Sequence, residues 1–205
     1  MSKVGLIDYG MGNIHSVKKA IENLGDEVIL VEDKTQINRC KALIIPGQGA
    51  FDPAMDNLNK TGLIEEIKEW INRGNPFLGI CLGLQILFEK SEEGNKKGIG
   101  LVKGNVKKIP YIKEQRIPHI GWCNLILKNH SKILDRNEYN NWVYFDHSYH
   151  VSPVDKNLIT ANVEYGSINL AAIIEYENLI ACQFHPEKSG RKGELLLSKW
   201  LKSIK

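Results

Sequence analysis

An α/β fold is what this sequence predicts: a central, mostly parallel sheet flanked by helices, with additional antiparallel strands in the second half, in a single domain over residues 1–205. Three observations carry that expectation. The first half alternates short, continuous apolar runs with helix-period segments, the pattern of strands covered on both faces. The second half holds extended runs joined mostly by turn formers, with helical periodicity returning only near the end. No repeat, low-complexity tract or linker composition divides the chain, and 205 residues with 42% hydrophobic content bury a sizeable core without a staple.

Taken in order, Val4-Gly5-Leu6-Ile7 reads as a buried strand and residues 14–24 as a helix whose apolar face carries Val17, Ile21 and Leu24. Residues 28–31 form a second strand, and Ala42-Leu43-Ile44-Ile45 a third, stopped by Pro46-Gly47. A helix over 63–71 leads to a strand over 76–80, and a helix over 82–89 follows at once. Beyond it, residues 98–109, 124–128, 142–151, 158–164, 168–176 and 179–184 read as extended, and 194–204 as an amphipathic helix.

Composition narrows the function classes. The net charge is only +3, and the most basic run, residues 96–108, has five lysines with no arginine or aromatic among them, so a solvated surface is expected rather than a nucleic-acid site. Cys40, Cys81, Cys123 and Cys182 lie far apart, with no C-x-x-C pair and no histidine at ligand spacing, which argues against a metal site or a disulfide scaffold. The longest uncharged run, 76–88, is too short to cross a bilayer, and the first residues lack a signal-peptide layout. A soluble, cytoplasmic protein is expected.

Three stretches carry chemistry. "FLGICLGLQ", Phe77 to Gln85, places one thiol between glycines two residues away on either side, at a strand-to-helix junction. G-x-C-x-G is the thiol counterpart of the nucleophile elbow, in which glycines permit a strained turn that exposes the nucleophile. A helix start there favours a thiolate and aims the Leu82 N–H at an oxyanion beside the sulfur. "FHPEK", Phe184 to Lys188, ends an apolar strand, where His185 and Glu187 share one side and Pro186 holds His185 extended. A carboxylate so placed orients an imidazole. "PGQGAF", Pro46 to Phe51, follows the third strand and falls at the same sheet edge as Cys81. A fourth stretch, "GMGNIH" after the first strand, starts like a dinucleotide fingerprint. His15 occupies its third glycine position, so no nicotinamide or flavin site is expected.

These stretches resemble the class I, triad-type glutamine amidotransferases, and the likeness runs in order along nearly the whole chain. "DYGMGNIHSV" at Asp8 to Val17, "PHIGW" at Pro118 to Trp122 and "HSY" at His147 to Tyr149 are similar to a branch of that family acting in histidine biosynthesis. The resemblance implies Cys81 as nucleophile, His185 as acid/base and Glu187 as its orienter. It implies an oxyanion hole from the backbone amides of Leu82 and of Gln48 or Gly49, and a glutamine site involving Gly49, Gln85, Ser148 and Tyr149. No cofactor and no metal are implied. Asn13, Trp122 and Lys188 would face a (β/α)8-barrel cyclase subunit that receives the ammonia and makes imidazole glycerol phosphate and an aminoimidazole carboxamide ribotide. Gln48, Cys123 and Asp146 depart from the usual residues of that branch. Two other readings fit the same motifs: a paralogous glutaminase feeding nucleotide-sugar amidination, and a catalytically silent structural subunit.

Overall fold

A computed structural model describes residues 2–135 and 140–204. The first half builds β1 (Lys3–Ile7), α1 (Ile14–Asn23), β2 (Glu27–Val31), α2 (Lys34–Ile37), β3 (Ala42–Ile45), α3 (Phe51–Thr61), α4 (Leu63–Asn72), β4 (Phe77–Ile80) and α5 (Leu82–Gln85). The second half adds β5 (Phe88–Ser91), β6 (Val102–Lys108), β7 (His119–Leu127), β8 (Trp142–His147), β9 (Tyr149–Pro153), β10 (Ile159–Tyr165), β11 (Ile168–Tyr176), β12 (Leu179–Cys182) and α6 (Gly190–Lys202).

Nine strands form one sheet in the order β2-β1-β3-β4-β12-β11-β10-β7-β8, and β5-β6-β9 form a small second sheet. The expected architecture is met. Strands β2, β1, β3, β4 and β12 run parallel, and β11, β10, β7 and β8 continue the sheet antiparallel. Because neighbouring residues on a strand point to opposite faces, a strand covered on both sides is apolar throughout. In β3, Leu43 and Ile45 join the cluster under α3 and α4, while Ala42 and Ile44 join the cluster that holds Val17 and Ile21 of α1 and Trp200 of α6. Trp200 is fully buried, and its loss to alanine costs about 3–5 kcal/mol on general grounds.

Four expectations need correction. The helix after Cys81 stops at Gln85 instead of running to residue 89. The carbonyls of Ile86, Leu87 and Phe88 accept hydrogen bonds from Ile99, Val102 and Gly100, so the small sheet takes the bonds that a longer helix would have used. The extended run 142–151 is two strands. It breaks at Ser148, with β8 pairing in the large sheet and β9 in the small one. Strand β12 ends at Cys182, and Pro186–Lys188 is a 3₁₀ turn. Helix α3, over the stretch after "PGQG", was not expected. Its first N–H, on Phe51, donates to Glu93 Oε2 at 2.8 Å, a partner that lies 42 residues away and is invisible to local pattern.

The glycines around the thiol also act differently from expectation. Gly79 and Gly83 do not have positive φ; Cys81 itself does, at φ 54°. The glycines provide close approach instead. A Cβ on Gly83 would lie 2.0 Å from the Ile45 carbonyl oxygen, and one on Gly79 would crowd the Ala181 Cβ at 3.1 Å. Gly83→Ala is therefore expected to destabilise the fold by about 2 kcal/mol or more, since backbone and not a flexible side chain must move. Urea unfolding compared with wild type checks this, and an unchanged midpoint would contradict it.

Candidate active site

Strand β4 delivers Cys81 and β12 delivers His185. These strands pair in parallel with Cys182 opposite Ile80, and the Cys81 N–H donates to the Cys182 carbonyl at 2.8 Å. The backbone turn at Cys81, φ 54° and ψ −108°, lies outside the regions that L-residues favour and swings the side chain off the strand. The thiol is buried, with Cys81 only 5% exposed, where the elbow argument expected exposure. It sits at the wall of a cavity of about 310 Å³. The expected residues Gln48, Gly49, Leu82, Gln85, Ser148 and Tyr149 line that same cavity.

His185 and Glu187 come together as expected, though by a different route. The 3₁₀ turn started by Pro186 brings the Glu187 carboxylate round to His185, whose Nδ1 lies 2.8 Å from Oε1. Both side chains are nearly inaccessible. An ion pair this deep holds the ring with Nδ1 protonated and turns Nε2 toward the thiol side. That Nε2 forms no hydrogen bond of good geometry, yet Cys81 lies close enough to act on it. Burial disfavours the imidazolium, but the Cys81 sulfur and Glu187 outweigh it, and the proton affinity of His185 rises well above that of an ordinary histidine. Ser189 Oγ accepts the Tyr144 N–H and donates to the His185 carbonyl at 2.6 Å, fixing the turn to β8.

The loop after β3 is packed hard against the elbow. A Cβ at Gly47 would meet the Leu82 Cβ at 2.6 Å, and the Tyr9 hydroxyl donates to the Pro46 carbonyl at 2.8 Å. Gly12, from the rejected dinucleotide-like stretch, packs against Gly47, with 3.1 Å from its would-be Cβ to the Gly47 Cα. That stretch therefore serves loop packing. Gly49 has φ +114°, a conformation open to glycine, and it leaves the backbone at 48–49 facing the cavity. Leu82 opens α5, where first-turn N–H groups lack intrahelical acceptors.

Gln183 was missed by sequence reasoning. It is fully buried, and its Nε2 lies 3.7 Å from the Cys81 sulfur. Its orientation is forced. Gln85 Nε2 donates to the Tyr149 carbonyl at 2.9 Å, and the same group donates to Gln183 Oε1 at 3.2 Å. Gln183 is left presenting its amide N–H to the thiol. An amide interrupting the apolar run 179–184, between Cys182 and Phe184, was the available signal. Glu93, which also lines the cavity, was missed as well; burial raises its pKa, opposed by the Phe51 N–H. It comes from the β5–β6 loop and carried no motif.

Of the residues expected to face a partner, Trp122 is half exposed on β7. Asn13 accepts the Ser16 N–H and caps α1, and Lys188 closes the turn after His185. Helix α1 and strand β8 both pack against that turn. Among the described residues, no group of three His, Cys, Asp or Glu could hold a metal, and no helix is long and apolar enough to cross a membrane.

His147, at the cavity wall, is held neutral. Burial, with repulsion from His119, His150 and His185, depresses its pKa from 6.5 to about 3, against a raising hydrogen bond to Tyr149. The unfolded chain takes up this proton at its ordinary pKa, so it binds more protons than the fold between the two values, and stability falls as pH drops through that window. Denaturant midpoints measured from pH 7 to pH 4 are expected to fall more steeply in wild type than in His147→Asn; equal slopes would refute this.

The family model for "Glutamine amidotransferase class-I" matches residues 5–203. A curated relative from Prochlorococcus marinus subsp. pastoris, named imidazole glycerol phosphate synthase subunit HisH, is 62% identical, with all of both chains covered. A relative of the same name from Prochlorococcus marinus strain MIT 9312 is 59% identical over the same span. A solved structure titled as a glutamine amidotransferase shares the fold, with a TM-score of 0.76 at 19% identity and 98% of each chain covered. The chain belongs to the class-I glutamine amidotransferase family, within the group of HisH subunits of imidazole glycerol phosphate synthase.

Proposed function

We propose that this chain hydrolyses L-glutamine to L-glutamate and ammonia through Cys81, His185 and Glu187, as the glutaminase subunit of imidazole glycerol phosphate synthase in histidine biosynthesis. The observation that carries the reading is the buried His185–Glu187 pair, 2.8 Å apart, with His185 Nε2 turned to the Cys81 thiol at a cavity wall. A structural pair needs no thiol at its free ring nitrogen. This arrangement suits a base that works only when substrate arrives.

The steps follow from the groups present. Cys81 sulfur attacks the side-chain carboxamide carbon of glutamine, and the carbonyl oxygen takes up negative charge toward the backbone N–H groups of Leu82 and the 48–49 segment. The proton held on His185 passes to the leaving nitrogen, which departs as ammonia and leaves a glutamyl thioester. His185 then removes a proton from water, which attacks the thioester carbonyl; the carbon–sulfur bond breaks and glutamate leaves. Glu187 stabilises the imidazolium formed at each stage. The Glu93 carboxylate supplies a counter-charge for the α-ammonium of glutamine, while Ser148 and Tyr149 form the facing wall.

Ammonia released to solvent would be protonated and lose its nucleophilicity. The reading therefore includes a (β/α)8-barrel cyclase partner that docks over Asn13, Trp122 and Lys188 and receives it. Glutamate release by the chain mixed with that cyclase and its ribotide ligand is expected to exceed release by the chain alone. It should drop by about 10³ or more in Cys81→Ala. Full turnover without the partner would refute the partner-dependent part, and turnover by Cys81→Ala the nucleophile.

Glu93→Gln keeps an oxygen acceptor for the Phe51 N–H but removes the charge. It should raise KM for glutamine about tenfold or more with little change in kcat. A fall in kcat at constant KM would show that Glu93 acts elsewhere.

A further inference from the structure

Two hydrogen-bond chains meet at one atom, the backbone carbonyl oxygen of Tyr149. One leads to the nucleophile, from Tyr149 through Gln85 and Gln183 to Cys81. The other leads outward: His147 Nδ1 lies 2.9 Å from the Tyr149 oxygen, His147 Nε2 3.1 Å from His119 Nδ1, and His119 Nε2 3.2 Å from Cys123 Sγ.

The polarity of the outward chain can be deduced. A carbonyl oxygen only accepts, so His147 Nδ1 carries a proton. A neutral imidazole has one N–H, so His147 Nε2 accepts and His119 Nδ1 must donate. His119 Nε2 then accepts in turn, and its partner has to be the Cys123 S–H. Every member therefore has one assigned role. The surroundings favour the uncharged forms this requires. His119 is buried, stacks on Phe145 with ring centroids 5.0 Å apart, and meets Tyr165 edge-on at 5.2 Å. Burial lowers the pKa of both histidines and raises that of Cys123.

We propose that Cys123 is a positioning residue for the glutamine pocket, acting through His119 and His147 on the Tyr149 carbonyl and on the wall formed by Ser148 and Tyr149. The placement gives this reach. His119 and His147 are directly paired across β7 and β8, and the next residue, Ser148, is where the chain leaves the large sheet for the small one. Tyr149 is the first residue of β9, at the end of its ladder opposite Lys108, so the side-chain bonds from His147 and Gln85 add to that pairing in setting its carbonyl. Cys123 is half-buried and follows the exposed Trp122, so the outer end of the chain lies on the strand that carries the expected partner-facing tryptophan.

This rests on the glutaminase reading for its kinetic part only, and the test separates the two. Nitrogen-15 spectra of the histidine rings in the wild-type protein should show both His119 and His147 as Nδ1–H tautomers at pH 7. An Nε2–H tautomer at either ring would overturn the proposal whether or not the protein turns over glutamine. In Cys123→Ala the His119 Nε2 signal should move to that of an unbonded acceptor, and KM for glutamine in the cyclase-coupled assay should rise about fivefold, the equivalent of one neutral hydrogen bond, with kcat unchanged. Cys123→Ser, which retains a donor, should restore both. An unchanged KM in Cys123→Ala, or an equal rise in both variants, would rule out positioning through the donor. Absence of turnover in the wild type would sink the glutaminase reading and leave the ring-nitrogen result standing.

Discussion

The site depends on one strained residue. Cys81 holds a positive φ that costs a non-glycine residue about 1–3 kcal/mol, and it persists because its neighbours leave no alternative. Its N–H is taken by Cys182, and its carbonyl accepts from Leu84 and Gln85, so both ends of the residue are fixed to different elements. Gly83 lies against the Ile45 carbonyl and Gly47 against Leu82, at separations that admit no Cβ. Strain is placed on the residue that needs a particular direction, and the glycines around it supply the contact that maintains it. A buried thiol turned off its strand into a cavity is the result.

Strand β12 sets the second half of the arrangement. It is the last parallel strand of the sheet and the point where the antiparallel strands begin, pairing with β4 on one side and β11 on the other. One register, Cys182 opposite Ile80, therefore brings Cys81 and His185 to the same edge. The small sheet does the rest. By drawing the chain across at Ser148 and by ending α5 early, it builds the wall opposite the thiol and carries Glu93 into the cavity. Polar side chains link these parts: Gln85 and His147 reach the same carbonyl, and Gln183 joins Gln85 to the sulfur.

The order and type of most strands were legible because their signals are local. Ala42-Leu43-Ile44-Ile45 is apolar without a break, and the structure buries it on both faces. Errors fall where a distant partner decides. The helix expected to run on to residue 89 has suitable residues, but its later carbonyls bond to residues 99–102. The run 142–151 has an unbroken extended pattern, and its division at Ser148 follows from which sheet each half joins. Helix α3 begins on an acceptor 42 residues away.

For the site, the sequence by itself determined which residues are the candidates for chemistry. The thiol lies between two glycines, and the histidine held before a proline has a carboxylate two residues on, so each signal is local and residue type and spacing were enough to single them out. Only the tertiary structure decided who meets whom. It showed that Cys81, not the glycines, takes the strain, and that a 3₁₀ turn brings Glu187 to His185. It also showed that Gln183, His119, His147 and Cys123 belong to one hydrogen-bonded network and that Glu93 lines the cavity. Gln183 and Glu93 carry no motif, and the motifs around His119 and His147 do not say that the two rings meet, because a hydrogen bond between side chains far apart in sequence leaves no local pattern; it exists only once the sheets have fixed the distances.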